Sequence, residues 1–135
     1  MAELLHEVVA TVFPDDLDRV VEPSRRADEH RATVRSRALG RSVVLVAARD
    51  RFEIVVPELA VGAIAFAYEE DRGAKVDALA EIAELGLRYL LGEGDVERRR
   101  GLLRRSAQLT LTARGQVWRL RRFSHSVGPV DGGRR

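Results

Sequence analysis

Between Gly73 and Leu91 apolar residues recur at helical spacing. Val76, Leu79, Ala80, Ala83, Leu87, Leu90 and Leu91 form one set, and Ala78, Ile82, Leu85 and Tyr89 form a second. At about 100° per residue the two sets merge, leaving Asp77, Glu81, Glu84 and Arg88 as a single polar stripe. Glu84 and Arg88, one turn apart, are spaced to pair. A helix this apolar needs cover on two faces. One cover is a sheet; the other is a helix, a loop or a second chain. Ala2 to Phe13 supplies a candidate, a short amphipathic helix whose apolar side is Leu4, Leu5, Val8, Val9 and Val12 and which Pro14 ends.

The rest of the chain alternates with the period of strands. Arg31, Thr33, Arg35 and Arg37 oppose Ala32, Val34, Ser36 and Ala38; a helix from Ser24 to Leu39 closed by Gly40 is the competing reading, and the strand is preferred. Val43 to Ala48 is continuously apolar, as in a strand covered on both faces. Phe52, Ile54 and Val56 alternate up to Pro57, and Ile64, Phe66 and Tyr68 form the bulky side of the next segment. After the helix, glycines 92 and 94 make a stop. Asp95–Arg100 reads as a charged edge strand, Ala107, Leu109 and Leu111 mark a half-buried strand, and Trp118 with Leu120 marks its return. Residues 14–30 read as loop or a helical turn.

These elements predict an α+β fold. A mainly antiparallel sheet of five to seven strands packs on one long central helix, with a short N-terminal helix. Residues 1–124 make a single domain, and residues 125–135 a flexible basic tail. On the sheet face away from the helix, arginines and threonines are expected.

Composition narrows the function. With 135 residues the chain suits one domain. It has no cysteine, which removes disulfides and thiolate chemistry. No early apolar run resembles a signal peptide, and no stretch reaches the ~18 apolar residues of a membrane span. A cytoplasmic protein is expected. Lys75 is the single lysine among 23 basic residues, a bias that suggests a GC-rich bacterial genome. The net charge of +2 is unevenly spread: about −5 over residues 1–30, −2 over 31–95 and +9 over 96–135. An anionic partner is therefore expected at the C-terminal third.

Catalytic signatures are missing from the sequence. His6, His30 and His125 have no metal-ligand spacing. Asp15, Asp16, Asp18 and Glu22 lack the glycine and closing glutamate of a calcium loop. No serine lies in a nucleophile elbow, and no glycine pattern forms a phosphate cradle. No enzyme activity and no cofactor are expected. The feature above background is basic: Arg98, Arg99, Arg100, Arg104, Arg105, Arg114, Arg119, Arg121 and Arg122. Arginine forks suit carboxylates and phosphates alike, but stacking aromatics and nucleic-acid motifs are lacking around them.

Phe52-Glu53-Ile54-Val55-Val56-Pro57-Glu58-Leu59, followed by Gly62, an acidic turn and a long helix, resembles the core of HicB-type antitoxins. The resemblance covers roughly forty residues, from Phe52 through the long helix. It departs where that family has a Gly-rich turn and a Glu-Ala helix start, since Tyr68-Glu69-Glu70-Asp71-Arg72-Gly73 stands here. The layout also looks like that of small bacterial immunity proteins and secretion chaperones. The expectation is thus a non-enzymatic bacterial protein that binds another protein, immunity-like, antitoxin-like or accessory chaperone-like. Arg98, Arg99, Arg100, Arg104, Arg105, Arg119, Arg121 and Arg122 would meet an acidic partner. Ile82, Leu85 and Tyr89 would supply a helix face for a homodimer or partner. Nucleic acid at the arginine-rich C-terminal strands is the alternative.

Overall fold

In the computed structural model the described residues are 1–23, 28–68, 70–100 and 105–122, with side chains left out at residues 23, 99, 100 and 105. Two helices lie against one face of an eight-stranded antiparallel sheet. The order along the chain is α1 (Ala2–Val12), β1 (Asp18–Pro23), β2 (His30–Ser36), β3 (Arg41–Ala47), β4 (Arg51–Val56), a 3₁₀ turn (Pro57–Leu59), β5 (Val61–Phe66), α2 (Arg72–Leu90), β6 (Asp95–Arg100), β7 (Arg105–Ala113) and β8 (Gln116–Arg122). The α+β fold expected from the alternation is therefore present. The sheet has one strand more than the upper expectation, because β1 forms in a stretch that reads as loop. Its Asp-Arg-Val-Val-Glu-Pro sequence has a weak alternation, and full-length pairing with β2 holds it. The strand reading of residues 31–38 stands over the helix. The expected tail, residues 125–135, lies outside the described residues.

Spatially the order is β1-β2-β3-β4-β5-β8-β7-β6. Two meanders, β1–β5 and β6–β8, meet at a short seam in which Val61 pairs with Arg122 and Gly62 with Arg121. The α2 helix carries the chain from β5 to the far edge, and it packs on β3, β4, β5 and β7. It therefore lies on strands of both meanders and reinforces a joint that backbone pairing alone makes short.

Both helix ends follow local chemistry. Asp71 caps the start, its carboxylate accepting from the Gly73 backbone N–H at 3.2 Å. At the other end Gly92 adopts φ +95°. Its N–H donates to the Tyr89 carbonyl, and that of Glu93 donates to the Arg88 carbonyl, both at 3.0 Å, which is a Schellman closure. In the last turns Gly86 is where the helix comes closest to the sheet: a Cβ there would lie 2.9 Å from Ile54 Cδ1 and 3.2 Å from Val43 Cγ2.

The core lies between the helices and the inner sheet face. It is built from Leu5, Val8 and Phe13, from Val34, Leu45, Ile54, Leu111, Trp118 and Leu120 of the strands, and from Leu79, Ile82, Leu85 and Leu90. The α1 helix fills the role expected of it, packing beside α2 and against β2. The second apolar face of α2 is thus covered from within the chain. Ile82 and Leu85 are 0% exposed and Tyr89 3%, which corrects the expectation that these three form a docking or dimer face. Their side chains are already spent on the core.

Candidate functional site

The helices leave the opposite face of the sheet open among the described residues. Strand register shows what is on it. Inward positions are Ala32 and Val34, Val43 and Leu45, Phe52 and Ile54, Val61 and Ala63, and Trp118 and Leu120, all buried. Their neighbours must point the other way, since side chains alternate along a strand. One outward row runs straight across six strands as Val20, Thr33, Val44, Val55, Gly62 and Arg121. The next runs Glu22, Arg31, Val46, Glu53 and Ile64.

The centre of this face is apolar. Val44, Val55 and Ile64 are partly exposed, and Val46 is buried. Phe66 and Tyr68, at the end of β5, extend the apolar area with 48% and 70% exposure. Their rings stack at 5.6 Å between centroids and 8° between planes. The carboxylate in the strip, Glu53, is neutralised by Arg51 at 3.1 Å.

Charge is arranged in columns on either side. β2 presents Arg31 and Arg35, and β8 presents Arg119 and Arg121. For Arg31, Arg35 and Arg119 there is no ion pair among the described residues. Farther out come Asp18 and Glu22 on β1, and Asp95 and Glu97 on β6. Across the sheet the order is acid, base, apolar strip, base, then a neutral column of Gln108, Thr110 and Thr112, then acid.

The C-terminal arginines expected to act together are divided by this geometry. Arg119 and Arg121 are on the open face. Arg98 is in register with Ala107, and its strand neighbour Val96 with buried Leu109, so Arg98 is on the helix side. Arg122, in register with buried Val61, is on that side too. Arg114, in the β7–β8 turn, pairs with Glu84 at 3.3 Å. Arg104 lies outside the described residues, as do the side chains of Arg99, Arg100 and Arg105. The arginines of β2 belong to the open face and were not among the expected site residues. The strict alternation of residues 31–37 is the signal that marks them.

Two polar constellations sit away from this face. At the C-terminal end of α2, Tyr89 donates its hydroxyl to Glu58 Oε2 at 2.9 Å, and Ser42 donates its N–H and hydroxyl to the same carboxylate at 2.8 Å each. Partial burial would raise the Glu58 pKa, but these hydrogen bonds outweigh it and hold the carboxyl below its usual range. Burial, with the Glu58 hydrogen bond and charge, pushes the Tyr89 phenol up to about 12. Arg41 lies 4.6 Å above the Tyr89 ring and donates to the Tyr89 and Glu93 carbonyls, a cation where the helix dipole favours one. At the other end Lys75, 7% exposed, donates to the carbonyls of Arg49 and Ala67 at 2.8 Å and to Asp50 at 3.3 Å. Every partner in both sets is internal, so each ties elements together.

Among the described residues no group of His, Asp or Glu is placed to hold a metal ion, and no helix is long and apolar enough to cross a membrane. No protein-family model, curated protein or solved structure matches this chain.

Proposed function

We propose that this protein acts without catalysis, by binding another protein on the open face of its sheet. The observation that supports the reading most is an apolar strip left uncovered by the described residues, beside arginines that have no ion pair among those residues. Exposed contiguous apolar area on a soluble chain commonly marks an interaction surface. Arginine and aromatic side chains are the residue types enriched at such surfaces. An acidic partner is the natural complement of Arg31, Arg35 and Arg119. The immunity-like or antitoxin-like form of this function is more specific, and it rests on the sequence resemblance alone.

Nucleic acid is the second reading, favoured by one observation: the exposed Phe66–Tyr68 stack could hold a base. Against it, acids border the β2 arginines directly and lie one strand beyond the β8 arginines, and the C-terminal arginines are shared between two faces. The test compares the unaltered protein with an R31E/R35E/R119E variant in capture from a bacterial extract, alongside titration with duplex and single-stranded DNA at two salt concentrations. The proposal expects proteins that the unaltered chain retains and the variant loses, with little DNA binding. Capture indifferent to the variant, or DNA affinity falling steeply with salt, would overturn it.

A further inference from the structure

The columns on the open face define a width, and the width selects the shape of what lies there. At the row where Gly62 pairs with Arg121, β2 and β8 are four strand steps apart, or about 19 Å at roughly 4.8 Å per step. The apolar strip on β3, β4 and β5 spans about half of that. An α-helix with its side chains is about 10–12 Å across. One helix therefore fits between the arginine columns, while a second sheet or a flat acidic surface would extend over the acids of β1 and β6. Building on the protein-binding reading, we propose that the open face receives a single amphipathic helix from the partner. Its apolar stripe would rest on the partly exposed Val44, Val55 and Ile64, and acids along both margins would meet Arg31 and Arg35 on one side and Arg119 on the other.

The same pattern argues against a second copy of this chain. A two-fold axis centred on the strip, running along or across the strands, superposes basic columns on basic columns. Such a contact sets like charges face to face. The chain's own residues 123–135 do not match either, because they carry one acid, Asp131, against Arg134 and Arg135, together with Pro129 and three glycines. An acid-margined helix instead completes a third layer, with helices on both sides of the sheet.

The test uses the full chain and two synthetic peptides of about four turns. Both carry a leucine stripe at helical spacing; one has glutamates along the margins, the other lysines. Fluorescence anisotropy measures binding, and circular dichroism reports helix gained on the complex. The glutamate peptide should bind, gain helix, and weaken at least about tenfold against R31E/R35E and against R119E. The lysine peptide should be rejected by the unaltered protein and should bind the R31E/R35E/R119E variant, a reversal that general damage to the fold would not give. Equal binding of both peptides, or indifference to the variants, would overturn the inference. So would light scattering that shows a dimer dissolved by the same substitutions, or glutamate-peptide binding that appears only after residues 123–135 are removed. If extract proteins are still lost with the triple variant while neither peptide binds, the helix is wrong and the protein-binding reading survives. If capture also ignores the variant, both fall.

Discussion

Glu58 and Tyr89 contribute most when the first is ionised and the second is neutral, so their bond has two pH limits. Glu58 titrates below its unfolded value, so its stabilisation is present above that value, near 4.3, and is lost as pH falls through the folded pKa. Tyr89 titrates above its unfolded value. Its share is complete below pH about 10 and is lost as pH rises toward 12. Tyr89→Phe should cost about 1 kcal/mol at neutral pH, read as a shift in urea midpoint. The difference from the unaltered protein should shrink at both pH extremes. A penalty independent of pH would mean that the hydroxyl matters for packing alone. Lys75 makes the second residue-scale case. Its three N–H groups meet three acceptors, a geometry that a planar guanidinium does not reproduce. In a chain of 22 arginines, Lys75→Arg should therefore destabilise by about 1–3 kcal/mol, where an ordinary surface exchange changes stability by less than about 0.5 kcal/mol. The single lysine is visible in the sequence. Its socket is not, because two of its acceptors are backbone carbonyls brought together only by the fold. The expected Glu84–Arg88 pair shows the same limit. Arg88 pairs with Glu93 and Glu84 with Arg114, each at 3.3 Å, since exposed pairs are worth a few tenths of a kcal/mol and local geometry decides among them.

At the scale of elements, the helix and the strand alternation were legible because burial imposes a period on the residues. The sheet of five to seven strands expected from the sequence forms with eight, and β1 escaped because two valines between charges carry almost no period. What periodicity could not show is which layer covers the second face of α2. The merged apolar sets of that helix suit a homodimer seam as well as they suit α1. Packing resolves this in favour of α1, with Glu7 and Arg72 bridging the two helices at 3.0 Å. The close approach at Gly86 makes α2 sensitive to size. Gly86→Val should destabilise by about 3 kcal/mol, more than the ~1 kcal/mol or less that removing a helix glycine returns. Thermal melting checks it, and a variant as stable as the parent would mean that the helix is not seated on Val43 and Ile54. Because α2 lies on both meanders, the loss should appear as one cooperative transition, without β6–β8 melting separately.

For the whole molecule, the folding face and the proposed binding face are opposite sides of one sheet, so changes to them should separate. Arg31, Arg35 and Arg119 have no ion pair among the described residues. Replacing all three with glutamate should leave the melting temperature nearly unchanged, each site contributing within about 0.5 kcal/mol. If the triple variant unfolds several degrees earlier, these arginines serve the fold. The uneven charge of the sequence pointed to the C-terminal third, and half of that expectation depended on which way each strand faces. Arg98 and Arg119 are both on C-terminal strands, yet strand register puts them on opposite sides of the sheet.

The helices cover one face of the sheet, and the described residues leave the other open. The chain has no cysteine, so introduced thiols can report on each face singly. Thiol labelling of Val55→Cys and Phe66→Cys under native conditions, set against Ile82→Cys and Leu85→Cys, measures the contrast directly. The open-face thiols should react within about tenfold of the denatured chain, and the helix thiols only as fast as the protein unfolds. Equal protection at all four positions would mean that both faces of the sheet are covered.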